Sequence, residues 1–387
     1  MTKKTRLIIL LVCVACFLVI SPVIIFYAEG YRFDFKKMIL TETGGIYVRS
    51  FPSADQITVD SKITEKPGLF SNSIFVQSLI PEEHTVLVKK ENYYDYYKNI
   101  PVVKKEVTKL ENILLIKKNI LFSIVPDPIT PSVTPQSPFI DQNKFIIKNN
   151  SLYYSNVLEN AKLTTVQKST PVLKKLVAFS LQNNNIIWLG TDGFVYRSEQ
   201  TNLSLAPTKI TSTAIKISKT GNYKIISDDK DIFLNDNGKL VFFNEKTNNL
   251  DNFYSPIKDA KISPDGLSIV YYNDNNVYIS LIPTNSAPAI IKNNLYESKE
   301  KLSNLIWLNN SYIIFTTEPQ EKIGQSKIII SEIDYRGNIN SVTLPQTITV
   351  FDQKINLEKP QIYFNQQESK LYILTNKILI VSEKIGT

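Results

Sequence analysis

The chain has 387 residues, of which 43% are hydrophobic, and it carries a formal net charge of +8. Its basic residues are interspersed with acidic ones and form no stripe of the kind that neutralises phosphates, which argues against nucleic-acid binding. The chain is long enough to build ordinary hydrophobic cores. Its only cysteines are Cys13 and Cys16, so the remainder has no disulfide, no thiolate nucleophile and no cysteine metal ligand.

Residues 7–28 contain no charged side chain, and Lys3, Lys4 and Arg6 precede them. At about 1.5 Å per residue, a helix of this length crosses the ~30 Å hydrocarbon core of a bilayer. The basic flank favours a cytoplasmic N-terminus. We therefore predict a single-pass cell-membrane protein with a cytoplasmic stub (residues 1–6), a transmembrane helix and an extracytoplasmic remainder.

Two alternatives to this anchor remain open. One is a cleaved signal peptide, although the apolar run is long and has no good small-x-small site after it. The other is a lipoprotein signal, because residues 13–16 loosely resemble a lipobox. In an embedded helix, the C-x-x-C spacing of Cys13 and Cys16 indicates two small apolar residues rather than redox chemistry.

After a predicted stalk over residues 29–40, residues 41–118 form a compact segment of short strands. Alternation of apolar and polar residues predicts sheets with one buried face. The predicted strands are residues 45–50, 56–60, 73–76, 84–90 and 109–116.

Residues 41–118 contain a characteristic order of residues: Gly45, Ser50, Pro52, Ala54, Ile57, Val59, Asp60, Lys62, Pro67, Leu79, Pro81, His84, Val86, Val88, Lys90 and Tyr93. This order resembles that of a PEGA domain. It implies a small β-sandwich without catalytic residues. Glycines of the family pattern are replaced, which leaves the turn types open, at Ser53, Ser61, Glu82 and Asn92.

Residues 119–138 are predicted to be a proline-rich linker, with five prolines between Pro126 and Pro138. Proline cannot donate a ladder hydrogen bond and favours the extended polyproline II conformation. A semi-rigid spacer of about 40 Å is therefore expected, with a proline-motif ligand as the alternative.

From residue 139 to residue 387, a strand, a short Asn/Ser/Gly-rich turn and a second strand recur six times. The residues before the turns are separated by 32, 38, 45, 45 and 57 positions, near the 40–45 residues of a four-stranded propeller blade. The predicted fold is an all-β ectodomain in which a small PEGA-like β-sandwich precedes a roughly six-bladed β-propeller. The copies are residues 144–154, 176–189, 214–226, 260–271, 305–315 and 362–374.

The turn Ser263-Pro264-Asp265-Gly266 is similar to that of TolB-like propeller repeats, and residues 307–315 resemble a degraded copy of the same motif. The resemblance implies a TolB-like propeller of five to seven blades. A β-sandwich or two smaller β domains is the alternative. Because propellers are commonly locked by strands from both chain ends, we expect a strand near residues 144–148, or its neighbour, to join the hairpin 371–381.

Few residues suggest chemistry, and no catalytic, cofactor-binding or metal-binding residue is assigned. The single histidine, His84, is predicted to be a strand residue, and residues 139–387 contain none for a catalytic triad or a histidine metal site. One remaining candidate is an acidic cluster, predicted to be a solvated turn: Asp228, Asp229, Asp231 and Asp236. The other is an aromatic patch, predicted to pack within the protein rather than to stack on sugars: Tyr93, Tyr94, Tyr96 and Tyr97.

The sequence thus predicts a non-enzymatic, membrane-anchored scaffold that presents a propeller to a protein or a cell-envelope polysaccharide, without a cofactor. This function rests on analogy of fold. Two alternatives remain: a propeller hydrolase or lyase that uses acidic residues, and an envelope sensor.

Overall fold

In a computed structural model of the protein, the structure describes residues 3–35, 37–68, 71–125, 145–154, 173–283, 292–319 and 325–386. The described chain is mostly β-strand. It divides into two units, of which the first comprises Met1–Ile120, Arg336–Asn340 and Gly386–Thr387 and the second comprises Leu121–Tyr335 and Ser341–Ile385.

The described part of the chain has one helix, α1, over Lys3–Ala28. Its segment Thr5–Ala28 is long and apolar enough to cross a membrane, and it is not buried within the protein. Pro22 lies inside the helix, where a membrane helix tolerates it. The predicted apolar helix is confirmed; a permanent anchor and a signal sequence are both compatible with it.

A hairpin follows the helix in the segment predicted to be a stalk. Strand β1 (Tyr31–Asp34) pairs antiparallel with β2 (Ile39–Glu42). The Asp34 carboxylate accepts a hydrogen bond from the backbone N–H of Lys37 at 3.2 Å, which closes the turn. Two four-residue strands give too short an alternation to be recognised in sequence, so this hairpin was not predicted within the stalk.

Two sheets of the first unit pack face to face around one core. Their cross-strand order is β6-β3-β9, with β3 and β9 parallel, and β5-β4-β7-β8. All five predicted strands are confirmed, and β5 and β8 were not predicted. The strands are β3 (Gly44–Phe51), β4 (Gln56–Val59), β5 (Ile63–Glu65), β6 (Ser73–Leu79), β7 (Glu83–Lys89), β8 (Tyr96–Pro101) and β9 (Val107–Leu114).

The turn between β4 and β5 forms without a glycine. Asp60 and Ser61 have φ angles of 52° and 56°, and the Lys62 N–H donates to the Val59 carbonyl at 3.1 Å. Positive φ at both central positions is the requirement of a type I′ hairpin turn. Asp and Ser therefore accept the geometry at this position.

The second unit is a series of antiparallel sheets in chain order. The sheets are β11-β12-β13, β14-β15-β16-β17, β18-β19-β20-β21, β22-β23-β24-β25, β26-β27-β28-β29 and β10-β34-β33-β32, with a separate hairpin β30-β31. Their strands are β10 (Phe122–Ile124), β11 (Phe145–Lys148), β12 (Ser151–Tyr154), β13 (Leu173–Lys174), β14 (Leu176–Gln182), β15 (Asn185–Gly190), β16 (Val195–Glu199), β17 (Thr208–Lys209), β18 (Tyr223–Ser227), β19 (Ile232–Asp236), β20 (Lys239–Asn244), β21 (Asn249–Tyr254), β22 (Asp259–Ile262), β23 (Ser268–Tyr272), β24 (Asn276–Leu281), β25 (Lys292–Glu297), β26 (Leu302–Asn309), β27 (Tyr312–Thr317), β28 (Ile328–Glu332), β29 (Ser341–Thr343), β30 (Thr347–Val350), β31 (Gln353–Asn356), β32 (Gln361–Asn365), β33 (Lys370–Thr375) and β34 (Ile378–Lys384).

The first strands of successive sheets lie beside one another: β14 contacts β18, β18 contacts β22, β22 contacts β26, and β26 contacts β32. Hydrophobic cores fill the spaces between the faces of neighbouring sheets. One core joins Leu152 and Leu173 to Trp188, the next joins Leu189 to Leu234, and the third joins Phe233 to Tyr271. Four-stranded sheets stacked on their faces with one strand innermost are typical of β-propeller blades.

The third predicted copy, residues 214–226, is displaced in the structure. Its first half is irregular, and the hairpin consists of β18 and β19 with a turn over residues 228–231. The Asp228 carboxylate forms this turn by accepting the N–H groups of Lys230 (2.9 Å) and Asp231 (2.6 Å). The Gly221 turn that the sequence suggested precedes the sheet.

The strand that joins the C-terminal hairpin is not residues 144–148 but β10, the strand that precedes them in the chain. Strand β10 pairs antiparallel with β34, flanked by hydrogen bonds from Glu383 N to Leu121 O (2.8 Å) and from Val125 N to Leu379 O (2.9 Å). Residues 144–148 instead contribute β11 to the three-stranded sheet. Strand β10 lies in the predicted linker, because a three-residue strand beside a run of prolines was interpreted as part of a spacer. Residues 126–138 of that predicted linker fall outside the described residues.

Truncating the chain after Asn376 removes β34 and is expected to abolish cooperative unfolding of the second unit, because β10 loses its partner and β33 stays paired with β32 alone. Both tryptophans, Trp188 and Trp307, lie in this unit, so tryptophan fluorescence during heating reports on it alone. A chain truncated after Ile385 keeps β34 and serves as the control. A truncated chain that melts at the temperature of the control would contradict the pairing.

Candidate functional site

His84 lies in β7, as predicted, and is buried in the first unit. Its Nδ1 lies 2.6 Å from Asp60 Oδ2, and its Nε2 lies 2.7 Å from the Ile80 carbonyl oxygen. The other Asp60 oxygen accepts the Thr85 N–H at 3.0 Å. Both ring nitrogens therefore have partners within the protein, and His84 holds the β4–β5 turn against β7.

The tyrosines of the predicted aromatic patch are divided between the core and the surface. Tyr96 is buried in the core of the first unit and Tyr97 is exposed, since consecutive residues of β8 point to opposite faces. Tyr93 is half-buried and packs against the same core. Core packing is thus the main role of this patch.

A cluster that sequence reasoning missed surrounds Lys292 at the start of β25. The Lys292 ammonium lies 4.4 Å from the ring centroid of Tyr254 and 4.2 Å from that of Tyr278, and it donates a hydrogen bond to the Tyr254 hydroxyl at 3.0 Å. The Tyr271 ring packs 4.9 Å from Tyr254. These cation–π contacts fasten the sheet of β18–β21 to the sheet of β22–β25.

Asp228, Asp229 and Asp231 of the acidic cluster lie in the β18–β19 turn, whereas Asp236 is the last residue of β19. Asp229 is exposed, as in the predicted solvated turn. Asp231 is different. Burial, together with the charges of Asp228 and Glu245, raises the pKa of Asp231 to about 6. Among the described residues, no group of three or more His, Cys, Asp and Glu side chains could hold a metal ion.

The most distinctive charges of the second unit lie on the neighbouring inner strands β18 and β22. The Lys224 ammonium is 2.7 Å from each carboxylate oxygen of Asp259. Lys261 follows Asp259 by two positions, so both side chains leave the same face of β22. Together Lys224, Asp259 and Lys261 form what we call the inner lysine site.

Lys261 is half-buried. Burial lowers the pKa of its ammonium, the neighbouring Lys224 lowers it as well, and Asp259 opposes both effects. Within the described ranges, Lys261 has no carboxylate oxygen within 4.0 Å and no hydrogen-bond acceptor for its ammonium. The site thus contains two ammonium groups and one carboxylate.

This arrangement can bind a carboxylate or phosphate, which would accept hydrogen bonds from both ammonium groups and relieve their repulsion. A lysine with a lowered pKa can also act as an amine nucleophile. Sequence reasoning missed the site because Lys224 and Lys261 belong to different sheets and to no motif. The alternating Asp259-Ala260-Lys261-Ile262 was the only local signal.

No family model matches the chain, and no curated protein matches it. The resemblances to PEGA domains and to TolB-like repeats therefore stay predictions.

The solved structures similar to this chain are distant in sequence. The β-propeller domain of Cps50 (Swd1) from Myceliophteria thermophila is 10% identical, with 55% of this chain and 64% of that chain covered and a TM-score of 0.36. The tricorn protease is 11% identical, with coverages of 76% and 27% and a TM-score of 0.37. BamB from Moraxella catarrhalis is 11% identical, with coverages of 89% and 100% and a TM-score of 0.34. The chain spans less than two thirds of the lengths of the Swd1 domain and the tricorn protease.

Replacing Asp231 by Asn is expected to stabilise the second unit at pH 8. A folded-state pKa near 6, above the ordinary value of 3.8, means that the stabilising contribution of Asp231 is full below about pH 4 and is lost as the pH rises through 6. The variant should gain about 1–2 kcal/mol at pH 8, since partial solvent screening reduces the full effect. The gain should vanish near pH 4.

The measurement is thermal unfolding of the full chain by tryptophan fluorescence between pH 4 and pH 8. Asp229→Asn removes an exposed carboxylate of the same turn and is the matched control. Equal pH profiles for Asp231→Asn and for the unmodified protein would show that Asp231 is solvated like its neighbour.

Proposed function

We propose that the six sheets of the second unit form a six-bladed β-propeller that is closed by the pairing of β10 with β34. The lateral contacts of the inner strands from β14 to β32 support this arrangement. We propose further that the first unit is a PEGA-like module. Its two-sheet sandwich and the Asp60-Ser61 turn at the family's turn position support this assignment.

We propose that the protein is a membrane-anchored, extracytoplasmic binding scaffold. Support comes from α1, whose apolar segment Thr5–Ala28 is not buried against the protein. The cations of Lys3, Lys4 and Arg6 favour a cytoplasmic N-terminus, which would place both β units outside the membrane. Binding, rather than chemistry, is the proposed role of the propeller.

The charges of the inner lysine site indicate which kind of ligand the protein would bind. An unpaired, half-buried ammonium beside a second ammonium is costly until an anion neutralises it. A carboxylate or phosphate group of the ligand would therefore contact Lys261 and Lys224, with Asp259 holding Lys224 in place. We propose that the binding partner supplies such a group.

An acidic envelope polysaccharide fits this chemistry better than an acidic protein segment. Inner strand β32 presents Tyr363, which is 38% exposed. Aromatic faces pack on apolar sugar faces, and ammonium groups pair with uronate or phosphate groups.

The rival function is a propeller hydrolase or lyase that uses acidic residues. The raised pKa of Asp231 is the observation that favours it, because general acids often have raised pKa values. The other carboxylate of the same hairpin turn, Asp228, accepts hydrogen bonds from the backbone N–H groups of Lys230 and Asp231. We therefore propose a structural role for this turn and a non-enzymatic role for the protein.

Cysteine labelling tests the topology. In the full chain with Cys13→Ala and Cys16→Ala, a single cysteine introduced by Lys246→Cys in the β20–β21 turn should react with a membrane-impermeant maleimide in intact cells. A single cysteine introduced by Thr5→Cys should react only after permeabilisation. Both should sediment with the membrane fraction. Labelling of position 246 only after lysis would reverse the orientation, and loss of residue 5 from the mature chain would indicate a cleaved signal.

Titration calorimetry tests the ligand. Galacturonate oligomers should bind the full chain in detergent, and Lys224→Met and Lys261→Met should each weaken binding about tenfold, equivalent to ~1.4 kcal/mol. Lys246→Met, which removes an exposed lysine of a surface turn, should leave binding unchanged. Inorganic phosphate should compete. If all three variants weaken binding equally, net charge and not the inner lysine site accounts for the effect. If the protein binds polyglutamate but not galacturonate, the partner is an acidic protein and not a polysaccharide.

A further inference from the structure

The hairpin β1–β2 exposes a dense group of apolar side chains. Phe35 is 81% exposed and Met38 is 70% exposed, and Phe33, Ile39 and Leu40 are exposed as well. Single exposed apolar residues are ordinary on a protein surface, whereas a contiguous group marks an interaction surface. Within this hairpin, five such residues occur in eight positions.

The hairpin is held at the end of α1. Helix α1 ends at Ala28 and β1 begins at Tyr31. The Arg32 guanidinium lies 3.5 Å from the ring centroid of Tyr27, and it donates a hydrogen bond to the Tyr27 carbonyl oxygen at 2.9 Å. A second Arg32 nitrogen donates to Ser78 Oγ at 2.9 Å. Arg32 thus connects the last turn of the helix, the hairpin and β6.

The charges of the hairpin match a bilayer surface. Lys37 lies between Phe35 and Met38 in the turn and is exposed, with its ammonium 3.9 Å from Asp34. A lysine flanked by apolar residues can bury its stem among lipid chains and keep its ammonium at the headgroups. Tyr27 and Tyr31 are residues of the type that membrane interfaces favour.

We propose that β1–β2 is a membrane-interface hairpin, whose apolar side chains insert into the lipid headgroup and acyl boundary on the side where α1 ends. This inference rests on the proposed function in one respect: α1 must span the membrane. A four-residue strand is about 13 Å long, and only two residues separate the hairpin from the helix. The lipid surface is therefore the partner that the chain itself brings into reach.

The hairpin would give the protein a second attachment to the bilayer. A helix alone fixes only one point, and rotation about Glu29 and Gly30 would leave the first unit free to swing. Insertion of Phe35 and Met38 adds a contact to one side of the helix axis. The hydrogen bond from Arg32 to Ser78 transmits this restraint to the sandwich of the same unit.

Spin labelling of the full chain in phosphatidylethanolamine–phosphatidylglycerol vesicles tests the proposal. With Cys13→Ala and Cys16→Ala, a nitroxide on Phe35→Cys should collide with oxygen several-fold more often, relative to a water-soluble nickel chelate, than a nitroxide on Phe51→Cys. Phe51 is the control because it is also an exposed phenylalanine of the first unit and lies at the far end of β3, about 23 Å from Gly44. Equal accessibility at the two positions would overturn the interface hairpin.

A third labelled chain separates this inference from the anchor on which it rests. Cys16→Ala leaves the native Cys13 in the middle of α1. A lipid signature at Cys13 combined with an aqueous signature at position 35 would retain the anchor and reject the hairpin. An aqueous signature at Cys13 would reject the anchor, and the hairpin with it.

Discussion

The hydrogen bonding of Phe122–Ile124 to Ile378–Lys384 is the interaction on which the second unit depends. It places two segments separated by more than 250 residues in one four-stranded sheet. Every other sheet of this unit is built from consecutive strands, and hydrophobic cores join the sheets from β11–β13 to β22–β25. A linear stack of that kind leaves its two ends exposed. The proposed closure of the stack rests on this pairing and needs no disulfide.

The stacking of the sheets also determines the positions of the charges in the inner lysine site. Lys224 and Lys261 belong to different sheets, and only the lateral contact of β18 with β22 brings them together. Asp259 holds one ammonium at 2.7 Å, while the other remains half-buried with its pKa lowered by burial and by Lys224. A flexible surface would separate two like charges, whereas stacked sheets keep them in place. A rigid excess of positive charge is a property suited to binding an anionic group.

Local signals explain how much of the fold could be predicted. The copies at residues 176–189 and 260–271 match observed hairpins because alternation and the turn residues, Asn183-Asn184 and Asp265-Gly266, are encoded in neighbouring residues. The third copy failed because the Asp228 turn competed with a Gly221 turn of equal appearance. Strand β10 and the inner lysine site could not be predicted at all, since each arises from residues distant in the sequence and neither has a motif. His84 was predicted in part. Its position in a strand followed from local alternation, but its hydrogen bond to Asp60 depends on the geometry of the β4–β5 turn, which the sequence left open.

Disulfide trapping of the paired chain ends tests the central claim most directly. Ser123 and Val381 lie opposite each other in the β10–β34 ladder, where Cα atoms of a hydrogen-bonded antiparallel pair are about 5.5 Å apart, a distance that a disulfide spans. In the full chain with Cys13→Ala and Cys16→Ala, the pair Ser123→Cys and Val381→Cys should oxidise quantitatively and raise the temperature of the tryptophan unfolding transition. Ser123→Cys paired with Lys384→Cys, which is out of register, should not. Failure of the in-register pair to cross-link, or a cross-link that leaves the transition unchanged, would contradict a propeller closed by its two ends.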